Sequence, residues 1–302
     1  MPKELPRLLE DAVEVLRRHG PVVRLGAGSV LVAGDTHGYP EVSRWVLGLA
    51  DELGVDAVVF LGDYVDRGPR GVENLSLLVE RLLEEPGRVM LLRGNHESPS
   101  MNLYYGFRGE FAAKVGLEHL DVLHGFYSCL PYAALMGRVL LVHGGVPCRL
   151  CRGGPEEPLR LGEIEERLRG LFCRRWLLEW GDSVAVQLLW NDPRGELDWF
   201  APSLRGPGIY YYGRLAWRRF LEANGLVLLV RAHEAVDAHQ VWASSGRPVH
   251  GLEHGYAVGM EELGGSVVTV FSSLYHGAGA GALLLREGEV VFLRYPGGAQ
   301  GL

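Results

Sequence analysis

The residues with the clearest chemical potential lie in one short loop, 62–68, which reads GDYVDRG and directly follows the apolar run 57–61. The apolar run predicts a buried strand. Glycines at both ends of the loop allow a sharp turn that projects the carboxylates of Asp63 and Asp66 and the guanidinium of Arg67 beyond the sheet edge. Such a carboxylate can bridge two cations, and an arginine can hold phosphate through two parallel hydrogen bonds. The loop therefore suggests both metal and phosphate.

Four further strand ends carry polar side chains that can bind metal or phosphate. They supply Asp35 and His37 in 34–38, Asn95 and His96 in 93–97, His143 before the glycine pair 144–145, and His233 in 231–234. The spacing of Asp35 and His37 puts both side chains on one side of a tightly turned backbone, where an oxygen and an imidazole can share one cation. Apolar residues alone suffice for buried strands, so five polar strand ends indicate one shared site.

Hydrophobic periodicity predicts the elements that position these residues. Helices are predicted over 5–16, 40–53, 72–82 and 162–180, with mostly helical structure over 98–130. Strands are predicted over 30–33, 57–61, 89–92, 139–142 and 226–230, followed by antiparallel strands over 267–271, 282–285 and 290–293. The segment 194–213 is predicted as an ordered surface loop that carries Arg205, and 237–265 as a flexible insertion. The β–α–β order indicates an α/β fold. The lack of a Ser/Gly-rich or Pro-rich linker predicts a single domain over 1–302, with 1–20 as an N-terminal packing helix.

Composition and charge exclude several classes of function. The formal net charge is −7, and no basic run alternates with aromatic residues, so no nucleic-acid partner is expected. No segment has the apolar length needed to cross a bilayer, so no membrane partner is expected. Charged residues across positions 1–20 exclude a signal peptide. A cytoplasmic location is therefore expected.

The four cysteines are few for a chain of this length. Such a content fits a reducing compartment, in which thiols mainly serve as packing groups. Cys148 and Cys151 form a CxxC, and Cys173 is a potential third sulfur ligand, but a structural zinc site needs a second pair. Packing thiols are therefore the prediction, with a metal site or a disulfide as the alternative.

Five sequence motifs resemble those of the phosphoprotein phosphatase (PPP) family of metal-dependent Ser/Thr phosphatases, in the calcineurin-like metallophosphoesterase superfamily. In order, they read GDTHG, GDYVDRG, RGNHE, HGG and RAHE. GDYVDRG followed by RGNHE is highly specific, and the similarity runs from about residue 30 to residue 285. The stretches LLWNDP and Arg205-Gly206 also resemble segments of that family. The resemblance implies a sandwich of two mixed β-sheets flanked by helices, with a dinuclear site at the strand ends.

The resemblance also implies a role for each site residue. The implied metal ligands are Asp35 and His37 for one ion, Asn95, His143 and His233 for the other, and Asp63 as the bridge. Arg67 and Arg205 would clamp the phosphate. His96, oriented by Asp66, would protonate the leaving alkoxide. The implied substrate-binding residues are Arg67, Asn95, Arg205 and Tyr275.

The implied reaction is hydrolysis of phosphoserine and phosphothreonine in proteins by direct attack of a hydroxide that bridges two divalent metal ions. Manganese is the ion expected in vitro, with iron or zinc as alternatives, because Asp, Asn and His ligands suit all of them. Phosphorylated proteins are the expected partners, and no regulatory subunit is specified. The chain departs from the family at 272–275, where Ser-Ser-Leu-Tyr replaces Ser-Ala-Pro-Asn-Tyr, so Tyr275 is the counterpart of the active-site tyrosine by position. Insertions around 148–173 and 237–265 change the rim of the site.

Three alternatives compete with this hypothesis. A small-molecule phosphatase, such as a dinucleoside polyphosphate hydrolase, has a similar core, but its second motif usually lacks the pair seen here as Asp66-Arg67. A metal-dependent nuclease typically ends in His-x-His, whereas this chain has a single histidine, His233, in its last motif. A scaffold that has lost the reaction loses ligands, and here every ligand is present.

Overall fold

The computed structural model describes residues 2–175, 182–237, 239–249, 256–277 and 279–297. The α-helices are α1 (Leu5–His19), α2 (Pro40–Leu53), α3 (Gly71–Glu84), α4 (Pro99–Tyr105), α5 (Phe107–Lys114), α6 (Leu120–Ser128), α7 (Leu161–Arg169), α8 (Ser183–Trp190) and α9 (Arg214–Ala223). Within the described ranges, no helix is both long and apolar enough to span a bilayer.

The strands are short. They are β1 (Val22–Leu25), β2 (Ser29–Ala33), β3 (Ala57–Phe60), β4 (Val89–Leu91), β5 (Ala133–Met136), β6 (Val139–Val142), β7 (Asp192–Pro193), β8 (Phe200–Pro202), β9 (Tyr210–Tyr212), β10 (Leu228–Arg231), β11 (His239–Trp242), β12 (Pro248–Val249), β13 (Tyr256–Gly259), β14 (Ser266–Val270), β15 (Gly281–Arg286) and β16 (Glu289–Arg294).

These strands form two large mixed sheets and one small sheet. Sheet 1 has the order β1-β5-β6-β10-β14-β11-β12, sheet 2 has the order β13-β16-β15-β2-β3-β4, and the small sheet has the order β7-β9-β8. In sheet 2, β2, β3 and β4 are parallel; in sheet 1, β6, β10 and β14 are parallel. Because the carboxyl ends of parallel strands share one sheet edge, each set delivers its following loops to one place.

Alternating side chains separate the layers of the sandwich. In β2, Val30 and Val32 belong to the core between the two sheets, whereas Leu31 and Ala33 pack in the cluster that includes α1, α2 and α3. In β10, Leu229 likewise packs with α8 and α9 on the outer face of sheet 1. Burial on both faces explains why these strands are apolar at nearly every position. The predicted α/β sandwich of two mixed sheets flanked by helices is confirmed.

Most predicted elements form, and several segments hold more structure than predicted. α2 has the predicted bounds, Pro40–Leu53, and α1 ends where Gly20 follows. β1 and β5 were not predicted. The segment 194–213, predicted as a loop, contains β8 and β9, and the supposedly flexible 237–265 contains β11, β12 and β13. Helix α7 ends at Arg169, short of the predicted end at 180, and 176–181 lie outside the described residues.

The three C-terminal strands do not pair as predicted. β15 and β16 are antiparallel neighbours in sheet 2. β14 lies in sheet 1, parallel to β10 and antiparallel to β11. A fully buried strand carries the same apolar pattern in either sheet, so its pattern does not identify its neighbour.

The prediction that the cysteines are free packing thiols is wrong. Cys129 forms a disulfide with Cys173, and Cys148 forms one with Cys151. Beside the first pair, the N–H of Cys173 donates to the carbonyl oxygen of Ser128 at 2.8 Å. This approach of two distant segments is not evident from the spacing of the cysteines. The cytoplasmic location stays a prediction, and cysteine usage no longer supports it, because cytosolic proteins rarely keep disulfides.

The two disulfides are expected to stabilise the fold unequally. Cys129 and Cys173 are 44 residues apart and Cys148 and Cys151 are 3 apart. Loop-closure entropy assigns about 4 kcal/mol to the longer loop and about 2 kcal/mol to the shorter one. Urea unfolding of Cys173→Ala and Cys151→Ala should show this order in the free energy of unfolding. Detection of four free thiols in the unfolded, unreduced protein would contradict both pairings.

Candidate active site

The polar residues predicted at five strand ends converge at one edge of the sandwich. Asp35, Asp63 and Asn95 follow β2, β3 and β4 of sheet 2, whereas His143 and His233 follow β6 and β10 of sheet 1. These residues are between 0% and 8% exposed. The structure therefore brings the predicted ligands together, although they are spread over about 200 positions of the chain.

Backbone strain concentrates in the loops that carry these side chains. The φ angles of His37, Asp63, Asp66, Arg67 and His233 are 43°, 56°, 67°, 66° and 69°. Left-handed conformations of residues other than glycine cost about 1–3 kcal/mol each and persist only where the surrounding fold enforces them. The rigid sheets on either side provide that enforcement here.

Two glycines let the loops after β3 and β4 touch through their backbones. Gly62 has φ 113°, and a Cβ there would lie 2.3 Å from the backbone nitrogen of Gly94. A Cβ on Gly94 would lie 2.2 Å from Oδ1 of Asp63. Glycine is therefore required at both positions for Asp63 to occupy its place.

One ligand cluster combines His37 with two carboxylates. Its Nε2 lies 3.6 Å from Asp35 Oδ2 and 3.6 Å from Asp63 Oδ2. Its Nδ1 lies 2.9 Å from the carbonyl oxygen of Val65. A carbonyl only accepts, so Nδ1 carries the proton and Nε2 offers its lone pair to the site. Burial lowers the pKa of His37 to about 3, which keeps the imidazole neutral, as a metal ligand must be.

The second cluster centres on His143 and shares Asp63 with the first. Its Nε2 lies 2.9 Å from Asn95 Oδ1, 3.4 Å from Asp63 Oδ1 and 3.2 Å from His233 Nδ1. Its Nδ1 donates to the carbonyl oxygen of Leu61 at 3.0 Å, so Nε2 of the neutral ring can only accept. Asn95 Oδ1 and Asp63 Oδ1 are acceptors as well, so these atoms repel Nε2 of the neutral ring unless a proton or a cation lies between them. Burial lowers the pKa of His143, but the charge of Asp63 outweighs burial and raises it, as expected of a site that attracts positive charge.

The charges of the carboxylates complete a ligand set that fits two divalent cations. Burial, reinforced by the charge of Asp63, raises the pKa of Asp35 to about 6. Burial also raises the pKa of Asp63, but His143, His96 and other imidazoles outweigh it and hold the pKa well below its usual value. Carboxylates, imidazoles and an amide oxygen suit manganese, iron or zinc.

His96 and Asp66 form a buried pair beside these clusters. His96 Nδ1 lies 2.8 Å from Asp66 Oδ2, and His96 Nε2 lies 3.9 Å from Asp63 Oδ2. Burial lowers the pKa of His96, but the charge of Asp63 and the hydrogen bond to Asp66 outweigh burial, so that the pKa is raised. His96 can therefore carry a proton into the site. Its position and its raised pKa are those that the predicted general acid requires.

Arg67 lies between two tyrosines at the entrance of the site. Its Cζ is 4.4 Å from the ring centroid of Tyr105 and 5.7 Å from that of Tyr275. Stacking on Tyr105 restrains the guanidinium, whereas Tyr275 is 44% exposed at the rim. Tyr104 and Tyr105 belong to α4, which lies at the surface and buries Asn102. Tyr104 is 78% exposed and Tyr105 lines the catalytic cavity.

Asp192 holds Arg205 at the wall of the cavity. Its Oδ2 accepts from Arg205 Nε at 2.6 Å and its Oδ1 accepts from Arg231 Nη2 at 2.7 Å. Both Asp192 and Arg231 are fully buried. The sequence predicts Arg205 at the site but assigns no role to Asp192 or Arg231, although both lie in family motifs, WNDP and RAHE.

Removal of the Asp192 carboxylate should destabilise the fold. Asp192→Ala is expected to lower the free energy of unfolding by about 3 kcal/mol, because buried Arg231 would lose its fully buried charge partner and keep only Glu234, whose side chain is 19% exposed and lies 3.1 Å from Arg231. The matched control is Asp198→Ala, since Asp198 and Arg214 form a pair of 2.6 Å in which both side chains are 46% exposed. That control should lose less than about 1 kcal/mol. Similar losses in urea unfolding would contradict the role of burial.

The cavity that these residues line is small and opens to the surface. Its volume is about 40 Å³, far below the ~300–1,000 Å³ of pockets that enclose drug-sized ligands. Eight of the predicted site residues contribute to its wall: Asp35, His37, Asp63, Asn95, His233, His96, Arg67 and Arg205. Three others, Asp66, His143 and Tyr275, do not. The wall also contains residues to which the sequence assigns no role: Trp190, Ala235, Phe271 and His276.

Glu97 supports the site without lining it. Its Oε2 accepts the N–H groups of Asp63 and Gly94 at 2.8 Å each, and its Oε1 accepts that of Tyr64 at 3.0 Å. Burial, together with the charge of Asp63, raises the pKa of Glu97 to about 7. The RGNHE motif contains this carboxylate, but its contacts depend on the approach of β3 to β4.

Comparison with known proteins places this geometry in a family. A model of the calcineurin-like phosphoesterase family matches residues 28–237. A probable serine/threonine-protein phosphatase of Encephalitozoon cuniculi is 34% identical over 277 residues, covering 87% of this chain and 52% of that protein. Serine/threonine-protein phosphatase 7 of Arabidopsis thaliana is 31% identical over 313 residues, covering 90% of this chain and 73% of that protein.

Other similar proteins extend the comparison. Serine/threonine-protein phosphatase 5 of Arabidopsis thaliana is 34% identical over 248 residues, covering 81% of this chain and 39% of that protein. The chain thus spans about half or less of some of these relatives. A serine/threonine phosphatase structure from Saccharomyces cerevisiae has the same fold, with a TM-score of 0.76, 24% identity and coverage of 98% of this chain and 90% of that one. The chain belongs to the calcineurin-like phosphoesterase family and, within it, to the phosphoprotein phosphatases.

Proposed function

We propose that this protein hydrolyses phosphoserine and phosphothreonine in proteins, with two divalent cations as cofactors. One observation carries the proposal: Asp63 is shared by two ligand clusters, and the His96–Asp66 pair and two arginines face the same small cavity. The serine/threonine-protein phosphatases to which the chain is similar support the same reaction. Phosphorylated proteins would be its partners.

The ligands divide between the two cations as the motifs suggest. Asp35 and His37 would hold one cation, Asn95, His143 and His233 would hold the other, and Asp63 would contact both. When bound, such cations lower the pKa of a shared water molecule and stabilise charge on phosphate oxygens. The protein itself fixes the ligands, because backbone carbonyls orient His37 and His143 and Glu97 fixes the loop of Asp63.

The remaining residues act on the phosphate and on the leaving group. Arg67 and Arg205 would bind phosphate oxygens and neutralise charge in the transition state. His96 would donate its proton to the alkoxide of serine or threonine, a poor leaving group without protonation. Within the described residues, the cavity wall contains no Ser, Thr or Cys. Asp and His side chains can also be covalent nucleophiles, but here Asp35, Asp63, His37 and His233 are assigned to the cations and His96 to the leaving group. We therefore propose direct displacement by water, without a phosphoenzyme.

The shape of the site favours a protein substrate over a dinucleotide. A cavity of about 40 Å³ admits a phosphate group and leaves the rest of the substrate at the surface. Exposed apolar side chains at the rim, such as Tyr104 and Tyr275, offer contacts to a polypeptide. The second motif of dinucleoside polyphosphate hydrolases usually lacks the pair seen here as Asp66-Arg67. Its presence therefore also favours a protein substrate.

A substrate panel tests the proposal. Protein stripped of metal and reloaded with manganese would be assayed on phosphoserine and phosphothreonine peptides beside diadenosine tetraphosphate. We expect turnover of the peptides and no turnover of the dinucleotide. Preference for the dinucleotide would overturn the substrate class and leave the ligand assignment standing. Parallel reloading with iron or zinc would rank the ions by activity, and manganese is the ion that we propose for use in vitro.

A further inference from the structure

A buried amide joins the main chain of His96 to the carboxylate that orients its ring. Asn102 is 3% exposed. Its Nδ2 donates to Asp66 Oδ2 at 2.9 Å and to the carbonyl oxygen of His96 at 2.8 Å. Its Oδ1 accepts from the hydroxyl of Tyr127 at 2.9 Å. Both N–H donors and the oxygen of the amide are therefore in use.

The surroundings allow only one orientation of this amide. If the amide were flipped, Oδ1 of Asn102 would face the carboxylate of Asp66 and the carbonyl of His96, which are both acceptors. The hydroxyl of Tyr127 stays protonated, because burial raises its pKa well above the ordinary value. Its O–H can therefore donate to Asn102 Oδ1, and the amide N–H groups must point toward the His96–Asp66 pair.

The amide also completes the restraint on Asp66. Asp66 Oδ1 accepts the backbone N–H of Phe107 at 3.0 Å, and Oδ2 accepts from both His96 Nδ1 and Asn102 Nδ2. Helix α4 places Asn102 six residues after His96. That helix begins with an N-cap at Ser98, whose Oγ accepts the N–H of Met101 at 3.3 Å. One short, capped element thus carries the residue that fixes the pair.

We propose that Asn102 is a positioning residue for proton transfer from His96. It fixes the distance between the main chain of His96 and the carboxylate of Asp66, and thereby the direction of the imidazole Nε2. The inference rests on the proposed function, in which His96 protonates the leaving group. A displacement of about 1 Å at such a group can cost about 10²-fold in rate, and the cost falls on the step that needs the proton.

Leaving-group dependence distinguishes positioning from a general structural effect. Asn102→Ala, loaded with manganese, would be assayed on a phosphoserine peptide and on aryl phosphates whose phenols differ in pKa. We expect kcat to fall about 10²-fold for the peptide and less than about 5-fold for 4-nitrophenyl phosphate, whose phenolate leaves unprotonated. The dependence of kcat on the phenol pKa should become steeper, with KM nearly unchanged.

Two further variants keep the inference testable. Tyr127→Phe removes only the hydroxyl that orients the amide, so it should shift the leaving-group dependence in the same direction by a smaller amount. If Asn102→Ala does not fold, Tyr127→Phe tests the positioning role of the amide instead. The control is Asn224→Ala, whose Nδ2 donates to the carbonyl oxygens of Leu159 and Phe220 at 3.1 and 2.9 Å. That variant should keep the wild-type dependence.

The outcomes separate this inference from the proposed function. A loss in Asn102→Ala that is equal on every substrate, with wild-type leaving-group dependence, would overturn the positioning role. If the wild-type protein hydrolysed aryl phosphates but no phosphoserine peptide, the proposed function would fail. The dependence of kcat on the phenol pKa, measured for Asn102→Ala and Tyr127→Phe on aryl phosphates, would still show whether Asn102 positions His96.

Discussion

Replacement of Asp63 by asparagine is expected to remove bound metal and hydrolytic activity together. Asp63 is the residue common to both ligand clusters and is 1% exposed, so the substitution keeps the shape of the side chain and removes its charge. Loss of both cations withdraws several kcal/mol of transition-state stabilisation, which corresponds to at least about 10³-fold in kcat/KM. Metal content after reloading and dialysis, and hydrolysis of 4-nitrophenyl phosphate, measure the two losses.

A surface aspartate provides the matched control for this substitution. Asp121 is 77% exposed and pairs with Arg175 at 3.1 Å, so Asp121→Asn should keep both metal ions and full activity. If Asp63→Asn retained two ions per chain, Asp63 would not be their common ligand. If it lost the ions but kept its activity, the reaction would not depend on them.

Replacement of His96 by alanine is expected to affect substrates according to their leaving groups. The alkoxide of serine needs a proton, so kcat for a phosphoserine peptide should fall by about 10²–10⁴-fold, the usual contribution of general acid catalysis. A nitrophenolate leaves without a proton, so kcat for 4-nitrophenyl phosphate should fall by less than about 10-fold. Steady-state kinetics on both substrates, at one metal loading, measures the difference.

His119→Ala is the control for the loss of an imidazole. His119 lies outside the cavity and its side chain is 40% exposed, so its removal should leave both substrates unaffected. Equal loss on both substrates in His96→Ala would count against proton donation. In that case His96 would act through charge at the phosphate rather than at the leaving group.

The sequence predicts the fold where local pattern and burial agree. β2 and β3 are buried at every position, and their continuous apolar runs identify them. The sequence does not reveal β1, because exposed Arg24 leaves only two consecutive buried apolar residues, Val22 and Val23. β8 and β9 have three residues each, too few to establish a period. Pairing partners also escape sequence reasoning, because β14 joins β10 through contacts between segments about forty residues apart.

The sequence predicts the site to the extent that each residue carries its own signal. Asp63 and His143 each follow an apolar strand and lie beside a glycine. A polar side chain at such a position indicates a catalytic or metal-binding site. Asn102 and Asp192 carry no comparable signal, since an amide in a helix and a carboxylate before a proline are ordinary locally. Their roles arise from the groups that the fold places against them. Cys129 shows the same limit, because its partner is set by the approach of two distant segments.

The central claim is that two cations sharing Asp63 are required for hydrolysis of phosphoserine, and a metal titration tests it most directly. Protein stripped of metal would receive manganese in steps, with bound metal and hydrolysis of a phosphoserine peptide measured at each step. We expect no activity without metal and full activity only when two ions are bound per chain. Full activity in the stripped protein, or at one bound ion, would contradict it.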